Sequence, residues 1–184
     1  MKTKGFLLLL ILGYSFSVYA RNKEKNYMIV LKDSIEIETS VEELYDWFVH
    51  LESNFVPWSE RHTKFELLSG GLEPGDIIYF EQCVEGVWYK VKAEIISREV
   101  DREGFSFTVE STTGLAEITF SARAISPGRL VFTHTESFGY GESYFGKIGN
   151  FLLFKVFFRK QGNWELIMGD MKKDDASLKR ILEG

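Results

Sequence analysis

A chain of 184 residues with 45% hydrophobic and 27% charged positions is long enough for one core and too apolar for a disordered polymer. It has no repeat, no sustained heptad and no run of 18 apolar residues, which excludes collagen-like, coiled-coil and polytopic membrane classes. Aromatic residues make up 15% of positions, so the core can be solid or can surround an apolar cavity.

Lys2 and Lys4 precede an uncharged stretch from Gly5 to Ala20 that ends in Val18-Tyr19-Ala20. A basic start, a short apolar centre and small terminal residues make a secretory signal peptide, with an uncleaved anchor as the alternative. The expected location is exported, periplasmic or secreted, or else membrane-anchored through residues 5–20. Residues 21–27 read as a polar tether and residues 28–184 as one ligand-binding domain. Without residues 1–20 the chain holds 20 basic and 27 acidic side chains, a net charge of −7. An acidic chain is a poor nucleic-acid binder, since neutralising phosphates takes clustered Lys and Arg, so no nucleic-acid partner is expected. Cys83 stands alone; no internal disulfide forms, and a buried structural thiol is expected.

The first strand runs from Met28 to Thr39, where Ile35 and Ile37 alternate with Glu36 and Glu38. Ser40 and Glu43 form a capping box, and Val41, Leu44, Tyr45, Phe48 and Leu51 recur at helical spacing. That predicts a helix from about Val41 to Ser53. Pro57 and Trp58 fall in a second short turn or helix reaching His62, followed by a strand at Phe65–Leu68. Turn signals at Glu85-Gly86, Arg102-Glu103-Gly104, Thr113-Gly114 and Ser126-Pro127-Gly128 then divide five strands: Ile77–Val84, Val87–Arg98, Phe105–Ser111, Leu115–Ile125 and Leu130–Phe138. After Gly139 and Gly141 the chain turns helical and ends in a long helix closing near Leu182. This order predicts an α+β fold, a curved antiparallel sheet wrapped around one long C-terminal helix, with two short helices after the first strand.

Alternation assigns the inward faces. Val87, Tyr89, Val91, Ala93 and Ile95 point one way and Lys90, Lys92 and Glu94 the other. Ala116, Ile118, Phe120, Ala122 and Ala124 form a second inward set. On the last strand Leu130 and Phe132 continue through His134, Glu136 and Phe138. Ile77–Val84 is apolar on both faces, so Glu81, which shares parity with Tyr79 and Cys83, is not assigned a side.

Of the three histidines, His50 faces solvent or caps its helix. His62 is either a polar turn residue or a metal ligand or general base at a cavity mouth. His134 is either a satisfied core histidine bonded to Glu136 or, with its pKa raised by that carboxylate, an acid–base group. On the final helix Trp164, Ile167, Met168, Met171, Leu178, Ile181 and Leu182 form one stripe, with Asp174 and Asp175 in its gap. Two carboxylates on a buried stripe need a partner or a cation. Alternatively the last turn protrudes, or the helix breaks at Gly169. Ile148–Phe158, flanked by Lys147, Lys155, Arg159 and Lys160, is either a membrane-surface contact or the cavity-facing start of the final helix.

The opening strand, the capped helix with Glu42-Glu43-Leu44-Tyr45-Asp46-Trp47-Phe48, the Trp58 turn and the Gly75-Asp76 strand entrance resemble the START/polyketide-cyclase superfamily over roughly residues 30–182. The resemblance implies the helix-grip fold, with a deep apolar cavity between sheet and final helix. Trp58, Tyr79, Tyr89, Phe107, Phe120, Phe132 and Met171 would contact an apolar or aromatic ligand there, lipid or polyketide-like, and His134 and Glu136 would supply any catalysis. A weaker similarity, through Trp58, His62 and Glu81, is to zinc-dependent diacetylphloroglucinol hydrolases. It implies a zinc site of His62, Glu81 and Asp175, although Met171 stands where that group has a helix histidine. Two readings follow: a carrier or sensor of an apolar small molecule, or a hydrolase or cyclase-like lyase acting on an acylated phenol or related ketone.

Overall fold

Alternating exposure along β1 (Ile29–Ile37) puts one face on the core and one in solvent, as its sequence pattern demands. The computed structural model describes residues 29–140, 143–157 and 163–184. The leader at residues 1–20, the tether at 21–27 and Phe158–Lys160 lie outside the described residues. Seven strands form one antiparallel sheet in the order β1-β7-β6-β5-β4-β3-β2. The others are β2 (His62–Leu67), β3 (Ile77–Val84), β4 (Val87–Val100), β5 (Gly104–Ser111), β6 (Ala116–Ser126) and β7 (Arg129–Phe138). Glu85 and Gly86 join β3 to β4 with φ of 49° and 78°, the left-handed pair that a two-residue hairpin turn requires.

The predicted first helix is two helices, α1 (Val41–Val49) and α2 (Leu51–Trp58). The Ser40–Glu43 capping box is present: Glu43 N–H donates to Ser40 Oγ at 3.1 Å and Ser40 N–H to Glu43 Oε2 at 3.1 Å. The break falls at His50, whose backbone leaves helical geometry while its ring nitrogen Nδ1 sits 2.8 Å from the Asp46 carbonyl. Helix α2 stops at Trp58, one residue past Pro57, because Ser59 is extended. His62 therefore opens β2 instead of closing a helix, three residues earlier than the expected strand start.

The C-terminal region departs further from expectation. Ile148–Phe158 does not begin the last helix. α3 (Tyr144–Phe151) and a π-helical turn (Leu152–Phe157) come first, and α4 (Trp164–Glu183) starts afresh, with Asn163 Oδ1 accepting from Leu166 N–H. Helix α4 continues through Gly169 without a break and packs against β1, β3 and α2. Its buried residues are Ile167, Asp170, Met171, Asp174, Asp175 and Leu178, so the turn that carries Asp174 and Asp175 is gripped by the sheet and does not protrude. At one end of the grip Phe48 gathers the rings of Phe105, Phe107, Phe120 and Phe132, with centroids 4.9–6.2 Å away.

Candidate functional site

Two strands, one turn and one helix bring a set of ionisable side chains into this apolar interior. Alternation on β7 sends His134 and Glu136 inward, as predicted, and both are buried. His62 arrives by a different route. Phe65 points inward, so a regular strand would send His62 outward. A bulge between His62 and Lys64 inserts one extra residue and turns the imidazole into the core. Asp170, Asp174 and Asp175 come from successive turns of α4, and Arg61 reaches in beside His62.

The charges divide into two linked groups. In the first, Arg61 Nε lies 2.7 Å from Asp170 Oδ1 and Arg61 Nη1 lies 3.6 Å from Asp174 Oδ1. His62 Nε2 is 3.3 Å from Asp174 Oδ2, while its Nδ1–H donates to the Phe55 carbonyl at 2.8 Å. That last bond, and stacking on Phe55 at 4.0 Å, lock the ring. In the second group His134 Nδ1 is 3.2 Å from Asp175 Oδ1 and Nε2 is 3.3 Å from Glu136 Oε1. A neutral imidazole would turn a lone pair toward one of those carboxylates. Burial alone would lower the pKa of His134, but the bonds to Asp175 and Glu136 outweigh it and push it up to about 9. His134 is therefore an imidazolium at neutral pH. Burial and the neighbouring Asp174 push Asp170 up to about 6, with Arg61 pulling the other way. Burial also raises Asp175, against the pull of His134.

These groups border two adjoining chambers of about 50 and 40 Å³, each room for a few waters. The first, toward α2, is walled by Phe55, Trp58, His62, Phe65, Phe107, Phe120, His134, Glu136 and Asp174. The second, toward the β3–β4 and β5–β6 turns, is walled by Val84, Tyr89, Val91, Ser111, Ala116, Phe138, Ile167, Glu136 and Asp170. Phe80, Gln82, Val109, Ile118 and Glu136 belong to both walls, so Glu136 stands at their junction. Burial, Glu136 and Asp170 all raise Tyr89, keeping its phenol protonated. Within the walls, His134 Nε2, Asp170 Oδ1 and Asp174 Oδ1 are buried without a hydrogen-bond partner, their ion-pair contacts lying off the hydrogen-bond direction.

Several expected site residues fall elsewhere. Tyr79 and Glu81 sit on the outer face of β3, because Ile78, Phe80 and Val84 take the inner one. There the Tyr79 hydroxyl donates to Glu81 Oε1 at 2.5 Å and Lys90 Nζ approaches Glu81 Oε2 at 3.2 Å. Cys83 shares that face and is half-buried rather than buried. Phe132 and Met171 are buried but line neither chamber. The proposed zinc ligands do not meet: Glu81 faces away, Asp175 binds His134, and the Arg61 guanidinium occupies the space between Asp170 and Asp174. Among the described residues no three His, Cys, Asp or Glu side chains converge to hold a metal ion. Arg61 and Asp170 carried no sequence signal beyond adjacency to His62 and a helical step from Asp174.

No family model matches the sequence, and no curated protein matches it. Solved structures do. The KanY protein (ms6282) superposes with a TM-score of 0.58 at 15% identity, covering 85% of this chain and 98% of that one. A major latex-like protein from Panax ginseng gives 0.56 at 13%, with coverages of 85% and 98%. Norcoclaurine synthase from Thalictrum flavum, a point mutant holding a transition-state analogue, gives 0.56 at 11%, with 88% and 97%. Identities this low speak for architecture alone. The seven-stranded sheet closed around α4, shared with these structures, gives this chain the helix-grip fold.

Proposed function

We propose that the chain binds a compact aromatic molecule between sheet and α4, with the molecule's hydrogen-bond donor set against Glu136 and the Asp170–Asp174 pair. The observation that carries this reading is the pair of apolar chambers whose walls contain buried ionisable groups with hydrogen-bonding capacity left unused beside their ion pairs. Apolar walls with a few convergent polar groups are the general form of a small-molecule site. The chambers' small size favours one or two planar rings over a diacyl lipid. Carboxylates outnumber the imidazolium along the walls, so a donor on the ligand is matched better than an acceptor.

Indole and benzofuran test this directly, since they share a shape and differ by one N–H. Titration followed by methyl resonances of Ile118, Val109 and Ile167 is expected to show saturable indole binding, at least tenfold tighter than benzofuran. Equal affinities would remove the role of the carboxylates. Unmoved resonances at millimolar indole would remove the site.

A second reading, metal-free proton transfer on a bound ketone, is favoured by the His134 imidazolium standing 3.3 Å from the Glu136 carboxylate on the wall of one chamber. Glu136 would take an α-proton while His134 Nε2–H bonds the developing enolate oxygen; return of a solvent deuteron completes the exchange. Glu81, on the outer face, has no part in it. Deuterium exchange into 2-indanone, lost in Glu136→Gln, is the expected result. A rate equal to buffer would discard the enzymatic reading and leave binding.

A further inference from the structure

Helix α3 is amphipathic with its apolar side turned outward. The side toward the protein is small or polar: Gly146 and Asn150 are buried and Gly149 is half-buried. Asn150 bonds the backbone of Tyr140 in both directions, accepting from its N–H at 2.7 Å and donating to its carbonyl at 2.8 Å. At Gly149 a Cβ would lie 3.3 Å from the Tyr140 ring, so the helix sits closer to Tyr140 than ordinary side-chain packing allows. The opposite side holds Tyr144 (74% exposed), Phe145 (83%) and Phe151 (61%), with Ile148, Leu152 and Val156 also exposed. A core helix displaced by accident would not be pinned through its glycines and asparagine. This aromatic side is presented, and patches of this kind mark interaction surfaces.

Charge identifies the occupant. Residues 143–164 contain Lys147, Lys155, Arg159 and Lys160 and no acid, in a chain whose net charge is −5. Lys147 and Lys155 are exposed beside the aromatic side chains. A second copy docked on this face would set these lysines against their own counterparts, which is unfavourable. An anionic lipid surface instead accepts the lysines at its headgroups and the aromatic rings at the acyl boundary. We infer that α3 and the following π-helical turn form a docking face for an anionic membrane surface. The buried Phe154 of that turn packs on Trp164 at 5.0 Å, and Trp164 packs at 5.1 Å on Phe138, a wall residue of the chamber toward the β3–β4 and β5–β6 turns. Docking would therefore place that chamber beside the lipid.

Hydrogen exchange of the full chain, read peptide by peptide, tests the face separately from any contribution of residues 1–28. With vesicles of phosphatidylcholine and phosphatidylglycerol, amides of residues 144–156 are expected to slow roughly tenfold. Pure phosphatidylcholine should give much less protection. Phe145→Ser with Phe151→Ser should abolish the slowing while leaving exchange of the sheet unchanged, and Lys147→Glu should weaken it roughly fivefold. Unchanged exchange with anionic vesicles would overturn the inference. So would protection that grows with protein concentration in the absence of lipid, which would give the face to a second copy.

Discussion

Asp175 Oδ1 lies 3.2 Å from His134 Nδ1, a buried ion pair that ties the gripped helix to β7, the strand next to the β1 edge of the sheet. Removing one partner of such a pair strands the other charge in an apolar medium. Asp175→Asn is expected to cost about 3 kcal/mol in urea denaturation. The loss should shrink in a His134→Gln background, where no imidazolium remains to be stranded. A double-mutant cycle with a coupling below about 0.5 kcal/mol would show the pair to be energetically idle.

The same pair sets a pH dependence. His134 has its folded pKa near 9, above its ordinary 6.5, so the folded state holds the proton more tightly than the unfolded state. Its contribution is complete below about pH 6.5 and is lost as pH rises through about 9, amounting to roughly 3 kcal/mol. Asp170, raised to about 6, acts with the same sign in a lower window: its proton favours the folded state until pH passes 6. Stability measured across the pH range should thus decline from mildly acidic to alkaline conditions. His134→Gln should flatten the upper part of that decline; an unchanged profile in the variant would place the titration elsewhere.

Trp58 and α4 are linked in both directions. The indole N–H donates to the Asp174 carbonyl at 2.8 Å, and Ser177 Oγ donates to the Trp58 carbonyl at 2.7 Å. Trp58→Phe keeps a ring against Phe48 and Phe120 but deletes the first bond and leaves space beside it. A loss of about 2 kcal/mol is expected, against about 1 kcal/mol for Ser177→Ala. Thermal melts followed by circular dichroism would check the order; a larger loss at Ser177 would reverse the weighting of the two bonds.

The sheet was legible because alternation and turn residues act locally. Parity on β7 placed His134 and Glu136 together inside, and parity on β4 did the same for Tyr89. What parity cannot see is a change of register. His62 enters the core through a bulge, which no residue type at Thr63 announces. Glu81 stayed ambiguous because apolar residues occupy both faces of β3, and only the pairing with β4 sets its side. Helical spacing located Asp174 and Asp175 on the buried stripe. Their burial depended on Arg61, His62 and His134 arriving from distant strands, a tertiary condition. The outward aromatic face of α3 was only half legible: the apolar run at Ile148–Phe158 fitted a surface contact as well as a buried helix start, and the small residues that seat the helix carry no signal to choose between them.

The opposite faces of β3 and β7 offer a controlled comparison, because Glu136→Gln and Glu81→Gln remove the same charge on the two sides of one sheet. Glu136 stands at the junction of the two chambers, and Glu81 is held on the outer surface by Tyr79 and Lys90. Exchanging Glu136 replaces a charged acceptor with a neutral one and should weaken indole binding roughly tenfold. Exchanging Glu81, or Tyr79 for Phe, should leave the affinity within about twofold, since neither side chain reaches the interior. Isothermal titration of the three variants gives the ranking. If Glu81→Gln weakened binding and Glu136→Gln did not, the ligand would lie on the convex face of the sheet, and the interior charges would serve the fold alone.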